Sequence, residues 1–158
     1  MRARKALPKM PKMMAERRRF VRFSASKVPL CVGGGNASST DPGTWATLAE
    51  AMVSDRGVGV GYVLTGDGVG VIDLDHCVTD GAVAPWAQAI LDDNPATFTE
   101  LSLSGTGLHV WGLLPAAHGR RIRDGERNIE IYSTGRYVAL YQPLPGTRLD
   151  LQPLVLPI

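Results

Sequence analysis

The stretch Val69-Gly70-Val71-Ile72-Asp73-Leu74-Asp75 decides how this chain folds and where its chemistry lies. Its β-branched, apolar residues predict a strand over Val69–Leu74. Residues two apart in a strand share a face, so Asp73 and Asp75 point the same way while Leu74 points into the core. Two such carboxylates repel each other unless a cation lies between them, and hard oxygen ligands suit Mg²⁺ or Mn²⁺. The alternative is a pair of solvent-facing acids at a strand end.

The sequence around this strand predicts three β-hairpins. Gly57–Leu64 is a glycine-rich strand, and Thr65-Gly66-Asp67-Gly68 is predicted to turn it back onto Val69–Leu74. Alternating apolar residues and turn residues downstream predict the other two. These pairs are Thr97–Leu103 with Leu108–Leu114, and Asn128–Tyr132 with Tyr137–Tyr141 joined by Ser133–Arg136. A further short strand is predicted at Phe20–Phe23, a basic loop at Ala116–Glu126, and an extended tail after Gln142.

Two principal helices are predicted between the strands. Asp41-Pro42 has the signature of an N-cap followed by proline at the first helical position, so we expect a helix from there to about Ser54. The second helix is predicted over Val83–Leu91, with Pro85 in its first turn. The fold class that follows is α+β, with mixed or antiparallel sheets built on hairpins.

Length and charge predict one domain behind a basic leader. The chain has 158 residues, 44% of them hydrophobic, and a net charge of +2. Residues 1–27 contain ten Lys and Arg and one acid, whereas residues 28–158 contain seven Arg and 14 acids. We expect a flexible leader over 1–19, one folded domain over 20–158, and an attraction of the leader for phosphates. A solvated leader is the alternative.

The composition also argues against several classes of protein. Two cysteines, Cys31 and Cys77, without CxxC spacing argue against a disulfide framework or a zinc ribbon. No apolar run is long enough to span a membrane, and the N-terminus lacks the apolar stretch of a secretory signal. A cytoplasmic protein with reduced thiols, and without a membrane partner, is therefore expected.

The segment Ser104-Gly105-Thr106-Gly107-Leu108-His109 is the second candidate element. Its two glycines allow the backbone to approach a ligand closely, and exposed N–H groups and hydroxyls can hold an anion. His109 lies just inside the next strand, close enough to contact the same phosphate. An ordinary hairpin turn with a partly buried histidine is the alternative.

Two further candidates follow along the chain. Glu130 lies between isoleucines and faces away from them, and burying such an acid without a partner is costly, so it could share a metal with Asp73 and Asp75. Arg136 could pair with a phosphate, and Tyr137 could stack on a sugar or base. The alternatives are a solvent-facing glutamate and a loop aromatic that packs on the sheet.

The order of these elements resembles the archaeo-eukaryotic primase superfamily, in particular the primase-polymerase branch found in phages and plasmids. The resemblance covers about residues 20–141 and rests on a DxD pair, a turn ending in histidine and a third strand acid. The segments that carry it are IDLDHC at 72–77, TELSLSGTGLHVWG at 99–112 and IEIYSTGRYVAL at 129–140.

The resemblance implies an RRM-like catalytic unit and two-metal transfer of nucleotides to a 3′-hydroxyl on a DNA template, with Mg²⁺ or Mn²⁺. Asp73, Asp75 and Glu130 would hold the metals, and His109 would contact the triphosphate. The remaining implied contacts are nucleotide-binding Ser104, Gly105, Thr106, Gly107, Arg136 and Tyr137. Weaker candidates for nucleic-acid contact are Lys27, Arg120, Arg121 and Arg123.

The sequence also departs from the family pattern. Phage members often continue into a helicase module, so a separate helicase or second primase/polymerase module is expected as a partner. Tyr141-Gln142-Pro143 replaces the threonine-glycine usual after that strand.

Three rival functions remain open at this point. A haloacid-dehalogenase-type phosphohydrolase would want Thr or Val where Cys77 lies and a lysine downstream, and no lysine follows Lys27. A nuclease of the D…ExK type would want lysine where Tyr132 lies. A non-catalytic single-strand-binding accessory subunit would not need the intact acids.

Overall fold

The computed structural model describes residues 8–157, and within them the chain forms short helices and two main antiparallel sheets. The helices are α1 (Lys12–Ala15), α2 (Leu48–Val53) and α3 (Pro85–Asp93). The strands are β1 (Phe20–Phe23), β2 (Pro29–Leu30), β3 (Gly59–Thr65), β4 (Val69–Leu74), β5 (Val78–Thr79), β6 (Ala82–Val83), β7 (Thr99–Leu101), β8 (Leu108–Leu113), β9 (Arg120–Asp124), β10 (Arg127–Tyr132), β11 (Thr134–Ala139) and β12 (Gln142–Pro143).

The two main sheets divide the predicted hairpins between them. The first sheet has the order β11-β3-β1-β2 and the second β12-β7-β8-β4-β10-β9, while β5 and β6 form a small ribbon. The hairpin of β7 and β8 is confirmed. The other two predicted hairpins are wrong, because β3 and β4 lie in different sheets, as do β10 and β11. A local turn signal marks a reversal of the chain, but a corner between sheets has the same signal as a hairpin.

The first predicted helix begins later than expected. Asp41 accepts a hydrogen bond from Gly43 N, but it caps only a 3₁₀ turn at Pro42–Thr44. Trp45 then returns to extended backbone, with φ −95° and ψ 162°. The helix α2 starts after Thr47, whose side chain forms a complete capping box with Glu50. The stronger of two N-terminal signals therefore sets the start of the helix.

Two other elements also differ from the sequence prediction. The helix predicted over Val83–Leu91 is present as α3, shifted two residues along the chain, with Pro85 at its first position. The basic loop predicted over Ala116–Glu126 contains the strand β9, which pairs with β10. An outermost strand rich in exposed arginine is protected from pairing with other chains, and this composition resembles that of a loop.

The main core lies where the two sheets meet. Tyr62 of β3, Phe20 of β1 and Trp111 of β8 are fully buried. The Tyr62 ring contacts the other two edge-on, with centroids 5.2 Å from Phe20 and 5.8 Å from Trp111. This aromatic contact joins the sheets and fixes the orientation of the second sheet, which carries the candidate site.

The N-terminal segment takes part in that core. Met10 and Met14 are buried in the same cluster as Phe20 and Tyr62. The folded unit therefore includes residues that precede the expected boundary at residue 20, whereas residues 1–7 of the expected leader lie outside the described residues. Over the described part of the chain, none of the helices has the length and apolar character needed to cross a bilayer.

Candidate metal and nucleotide site

A row of charged side chains crosses the second sheet from strand to strand. In the register, Glu100 of β7 is opposite His109 of β8, and His109 is opposite Asp73 of β4. Asp73 is in turn opposite Glu130 of β10, and Glu130 is opposite Arg121 of β9. Side chains directly opposite each other in antiparallel strands share a face, so the five groups lie side by side.

Three carboxylates in and beside this row form a compact oxygen cluster. One oxygen each from Asp73, Asp75 and Glu130 lies within 4.8 Å of the other two. Burial raises the pKa of Asp73 to about 6, and the neighbouring carboxylates add to the rise against the opposing charge of His109. Asp73 Oδ1 is buried without a hydrogen-bond partner. A crowded carboxylate with a free buried oxygen fits a hard divalent cation such as Mg²⁺ or Mn²⁺.

Glu130 has partners on both of its oxygens. Arg121 lies 3.2 Å and Arg123 3.7 Å from Oε1, and the Tyr132 hydroxyl donates to Oε2 over 3.0 Å. Two arginines predicted to contact nucleic acid therefore border the carboxylate cluster. They position Glu130 beside Asp73, and each keeps more than half of its side chain exposed.

The imidazole of His109 is hydrogen-bonded to Glu100, a residue that was not among the candidates from the sequence. Its Nδ1 lies 2.9 Å from Glu100 Oε1, and its Nε2 lies 3.6 Å from Asp73 Oδ1. Burial alone would lower the pKa of His109, but the hydrogen bond to Glu100 and the charges of Glu100, Asp73 and Asp75 raise it. An imidazolium in this position places positive charge beside the carboxylates. Glu100 lies between Thr99 and Leu101, where a solvent-facing strand residue could equally lie, so no local signal distinguished it.

The turn before His109 uses its backbone N–H groups internally. Gly105 N donates to Ser102 O, and Gly107 N donates to Ser102 Oγ. Thr106 N donates to Ser104 Oγ, and the two hydroxyls of Ser104 and Thr106 lie 2.9 Å apart. The donors that the turn offers to a phosphate are therefore its exposed hydroxyls, rather than the N–H groups of residues 105–107.

Arg136 borders an arginine-lined pocket next to Glu130. Its guanidinium carbon lies 3.8 Å from the centre of the Tyr132 ring, a cation–π contact. The open pocket has a volume of about 320 Å³. Its lining residues are Gly119, Arg120, Arg121, Tyr132, Thr134, Gly135 and Arg136. The pocket brings together arginines from β9 and from the start of β11, which the sequence had assigned to different ligands.

Tyr137 and Lys27 lie in the other sheet and its adjoining turn. The Tyr137 ring stacks on Phe23 with centroids 5.9 Å apart, and its hydroxyl donates to the Lys27 carbonyl. A Cβ added to Gly61 would meet the Tyr137 ring at 2.6 Å, so the ring packs closely on the sheet. These contacts are those of a packing aromatic. The Lys27 side chain is exposed, and its charge lowers the pKa of Asp73.

Basic residues before β1 are paired within the fold. Arg17 lies 2.6 Å from Asp67 Oδ2, and Arg18 lies 2.8 Å from Glu50 Oε1. These arginines connect the N-terminal segment to the turn after β3 and to α2. These ion pairs partly neutralise the charge of the two arginines. The electrostatic attraction of this end of the described chain for a phosphate backbone is therefore weaker.

Comparisons with known proteins found a family and a relative that this chain resembles. A family model described as "Bifunctional DNA primase/polymerase, N-terminal" matches residues 13–150. A protein named "DNA Primase-polymerase" from Nitratiruptor phage NrS-1 is 36% identical over 144 residues, which is 84% of this chain. The chain spans about a fifth of the length of that relative, since the match covers 20% of it.

Proposed function

The chain belongs to the bifunctional DNA primase/polymerase family, and we propose that it is a template-dependent nucleotidyltransferase that adds nucleotides to a 3′-hydroxyl in phage or plasmid replication. The observation that carries the proposal is the cluster of Asp73, Asp75 and Glu130 with His109 in register beside it. A module that only binds DNA has no need of a buried carboxylate whose pKa is raised to about 6.

The carboxylates would hold Mg²⁺ or Mn²⁺ between the reacting groups. Asp73 presents an oxygen from β4, Asp75 presents one from just after the end of that strand, and Glu130 presents a third from the neighbouring strand β10. Bound metal of this kind lowers the pKa of a primer hydroxyl and neutralises charge on a triphosphate. With three carboxylates acting as ligands, the reaction needs no protein nucleophile.

The cationic groups around the cluster would orient the triphosphate. His109 Nε2 is directed towards Asp73, so a phosphate beside the cluster comes within its reach. The hydroxyls of Ser104 and Thr106 lie in the turn just before it. Arg136 and Arg120 border the pocket on the other side of Glu130 and would hold the remaining phosphates or the template backbone.

We propose nucleoside triphosphates and single-stranded or primed DNA as the substrates. A separate helicase, or a second primase/polymerase module, would supply unwound template. The site of action would be the cytoplasm of the host cell, a reducing setting that suits the two free cysteines Cys31 and Cys77.

The test is nucleotide incorporation with labelled deoxynucleotides and Mn²⁺, with and without a primer. Glu130→Gln should lower incorporation by at least about a hundredfold, because it removes one charged ligand while keeping the shape of the side chain. The matched control is Asp92→Asn, which neutralises an exposed acid on α3 and should leave activity unchanged.

The same assay separates the rival functions. Pyrophosphate release with primer extension supports the proposal. Release of free phosphate without extension would indicate a phosphohydrolase. DNA binding without incorporation would indicate an accessory subunit, and equal incorporation by the wild type and Glu130→Gln would contradict the metal-site assignment.

A further inference from the structure

We propose that Glu100 is the positioning residue of the site, fixing the ring of His109 so that its Nε2 faces the nucleotide. This inference rests on the proposed function. Its observation is separate, however, because Glu100 lies on β7, two strands away from Asp73 on β4, and was not one of the candidate site residues, although it falls within the segment 99–112.

Glu100 is more deeply buried than the metal-cluster carboxylates Asp73 and Glu130. Its side chain is 2% exposed, against 22% for Asp73 and 13% for Glu130. Its Oε1 accepts from His109 Nδ1 at 2.9 Å and from Trp111 Nε1 at 3.2 Å, and its Oε2 accepts from Tyr141 N at 3.2 Å. A buried carboxylate is tolerable only when such donors satisfy it, and these three fix its position.

The donors come from one strand and a connecting segment. His109 and Trp111 are two residues apart on β8 and therefore project from the same face towards one carboxylate oxygen. The third donor belongs to Tyr141, immediately before β12, which pairs with β7 at Gln142 and Pro143. The segment 141–143, where the chain departs from the family pattern, thus supplies part of the support for Glu100.

The consequence for His109 follows from the chemistry of imidazole. A carboxylate that accepts from Nδ1–H keeps the proton on that nitrogen and fixes the plane of the ring. Nε2 is then directed across the row towards Asp73, 3.6 Å away, which is beyond hydrogen-bond distance. Without Glu100 the ring could rotate and lose its alignment with a phosphate, and it would lose the negative charge that favours the imidazolium, the form in which Nε2–H can donate.

The experiment is a double-mutant cycle with Glu100→Gln and His109→Ala. Glutamine keeps the size of the side chain but removes its charge, and it cannot accept both from His109 and Trp111 on one side and from Tyr141 on the other. We expect Glu100→Gln to raise KM for the nucleotide about tenfold, with KM for primed DNA unchanged and a smaller change in kcat. In the His109→Ala background the effect of Glu100→Gln should vanish, because Glu100 acts through the histidine.

A second readout does not depend on activity. In metal-free and nucleotide-free protein, the imidazole ¹⁵N–¹H spectrum of the wild type should show a His109 Nδ1–H signal protected from solvent exchange. Glu100→Gln should reduce that protection, because a neutral amide oxygen accepts from Nδ1–H more weakly than a carboxylate. Asn94→Ala is the control, since Asn94 is buried and bonds the Val155 backbone away from the site, so its loss should lower stability without changing the His109 signal.

The outcomes distinguish this inference from the proposed function. If the wild type incorporates nucleotide but the effects of Glu100→Gln and His109→Ala add, Glu100 has only a structural role and the inference is overturned. If the wild type neither binds nor incorporates nucleotide, the proposed function fails and this inference fails with it. Should Glu100→Gln not fold, Glu100→Asp takes its place in the cycle, because it keeps the charge but withdraws the carboxylate from Nδ1.

Discussion

Replacing Asp73 with asparagine should stabilise the metal-free protein at neutral pH. The pKa of this carboxyl rises from its ordinary 3.8 to about 6, first because of burial and then because of its acidic neighbours. A pKa rise of that size means that ionising Asp73 lowers the free energy of unfolding by about 3 kcal/mol, since each pKa unit is worth about 1.4 kcal/mol. The folded state binds the proton more tightly than the unfolded state. Stability is therefore lost as pH rises from about 4 through about 6, and the full cost is present above that range.

The assay is urea denaturation of the wild type and Asp73→Asn at pH 8 and pH 4, with EDTA. We expect the variant to be about 2–3 kcal/mol more stable at pH 8, because it removes the cost of ionising Asp73. At pH 4 the advantage should fall to about 0.5 kcal/mol, because the carboxyl is then largely protonated in the folded wild type. Asp92→Asn, on the exposed face of α3, should change neither value.

Adding Mn²⁺ at pH 8 should reverse the order of the two proteins. A ligand at about a thousand times its Kd stabilises the protein that binds it by about 4.1 kcal/mol, which exceeds the advantage of about 2–3 kcal/mol that the variant has without metal. The wild type gains this increment, whereas Asp73→Asn has lost one ligand and gains little. The reasoning is refuted if the variant is no more stable than the wild type at pH 8 in EDTA, or if its advantage is the same at both pH values.

The other predictions concern the turn and the cysteines. A Cβ added to Gly107 would lie 2.6 Å from the Leu74 carbonyl oxygen, so Gly107→Ala should force the backbone apart and lower the free energy of unfolding by about 1–3 kcal/mol; unchanged urea denaturation would contradict this. Cys77 is 2% exposed, and burial raises the pKa of its thiol to about 11. Iodoacetamide at pH 7.5 should therefore label Cys31 in the native protein and Cys77 only after denaturation, as peptide mass spectrometry would show.

Local sequence patterns predicted where the strands lie better than they predicted which strands pair with each other. Phe20–Phe23 and Leu108–Leu113 are strands within a residue of their predicted bounds, because apolar alternation and turn residues act over a few positions. Pairing depends on contacts far apart in sequence. β4 pairs with β8 and β10 rather than with its neighbour β3, and nothing near Thr65–Gly68 distinguishes these outcomes.

The same distinction applies to the candidate site. Asp73, Asp75 and Glu130 could be found because each lies in a recognisable strand pattern, and the sheet brings them within 4.8 Å of one another. Tyr137 was chosen for its type and neighbours, yet its ring packs on Phe23 in the first sheet. Glu100 was missed because its role depends on the register of β7 with β8, which a single strand does not reveal.

The charges of the row also explain why the site should hold a cation. Glu100 is balanced by His109, and Glu130 by Arg121, so each end of the row has a partner within about 3 Å. Asp73 lies between these pairs with one oxygen unbonded, and Asp75 adds negative charge to the same side. The excess of negative charge is thus concentrated at the centre of the row. A small divalent ion would neutralise this charge and would use the unbonded oxygen of Asp73, so the raised pKa of Asp73 is what a metal-free site of the proposed kind should show.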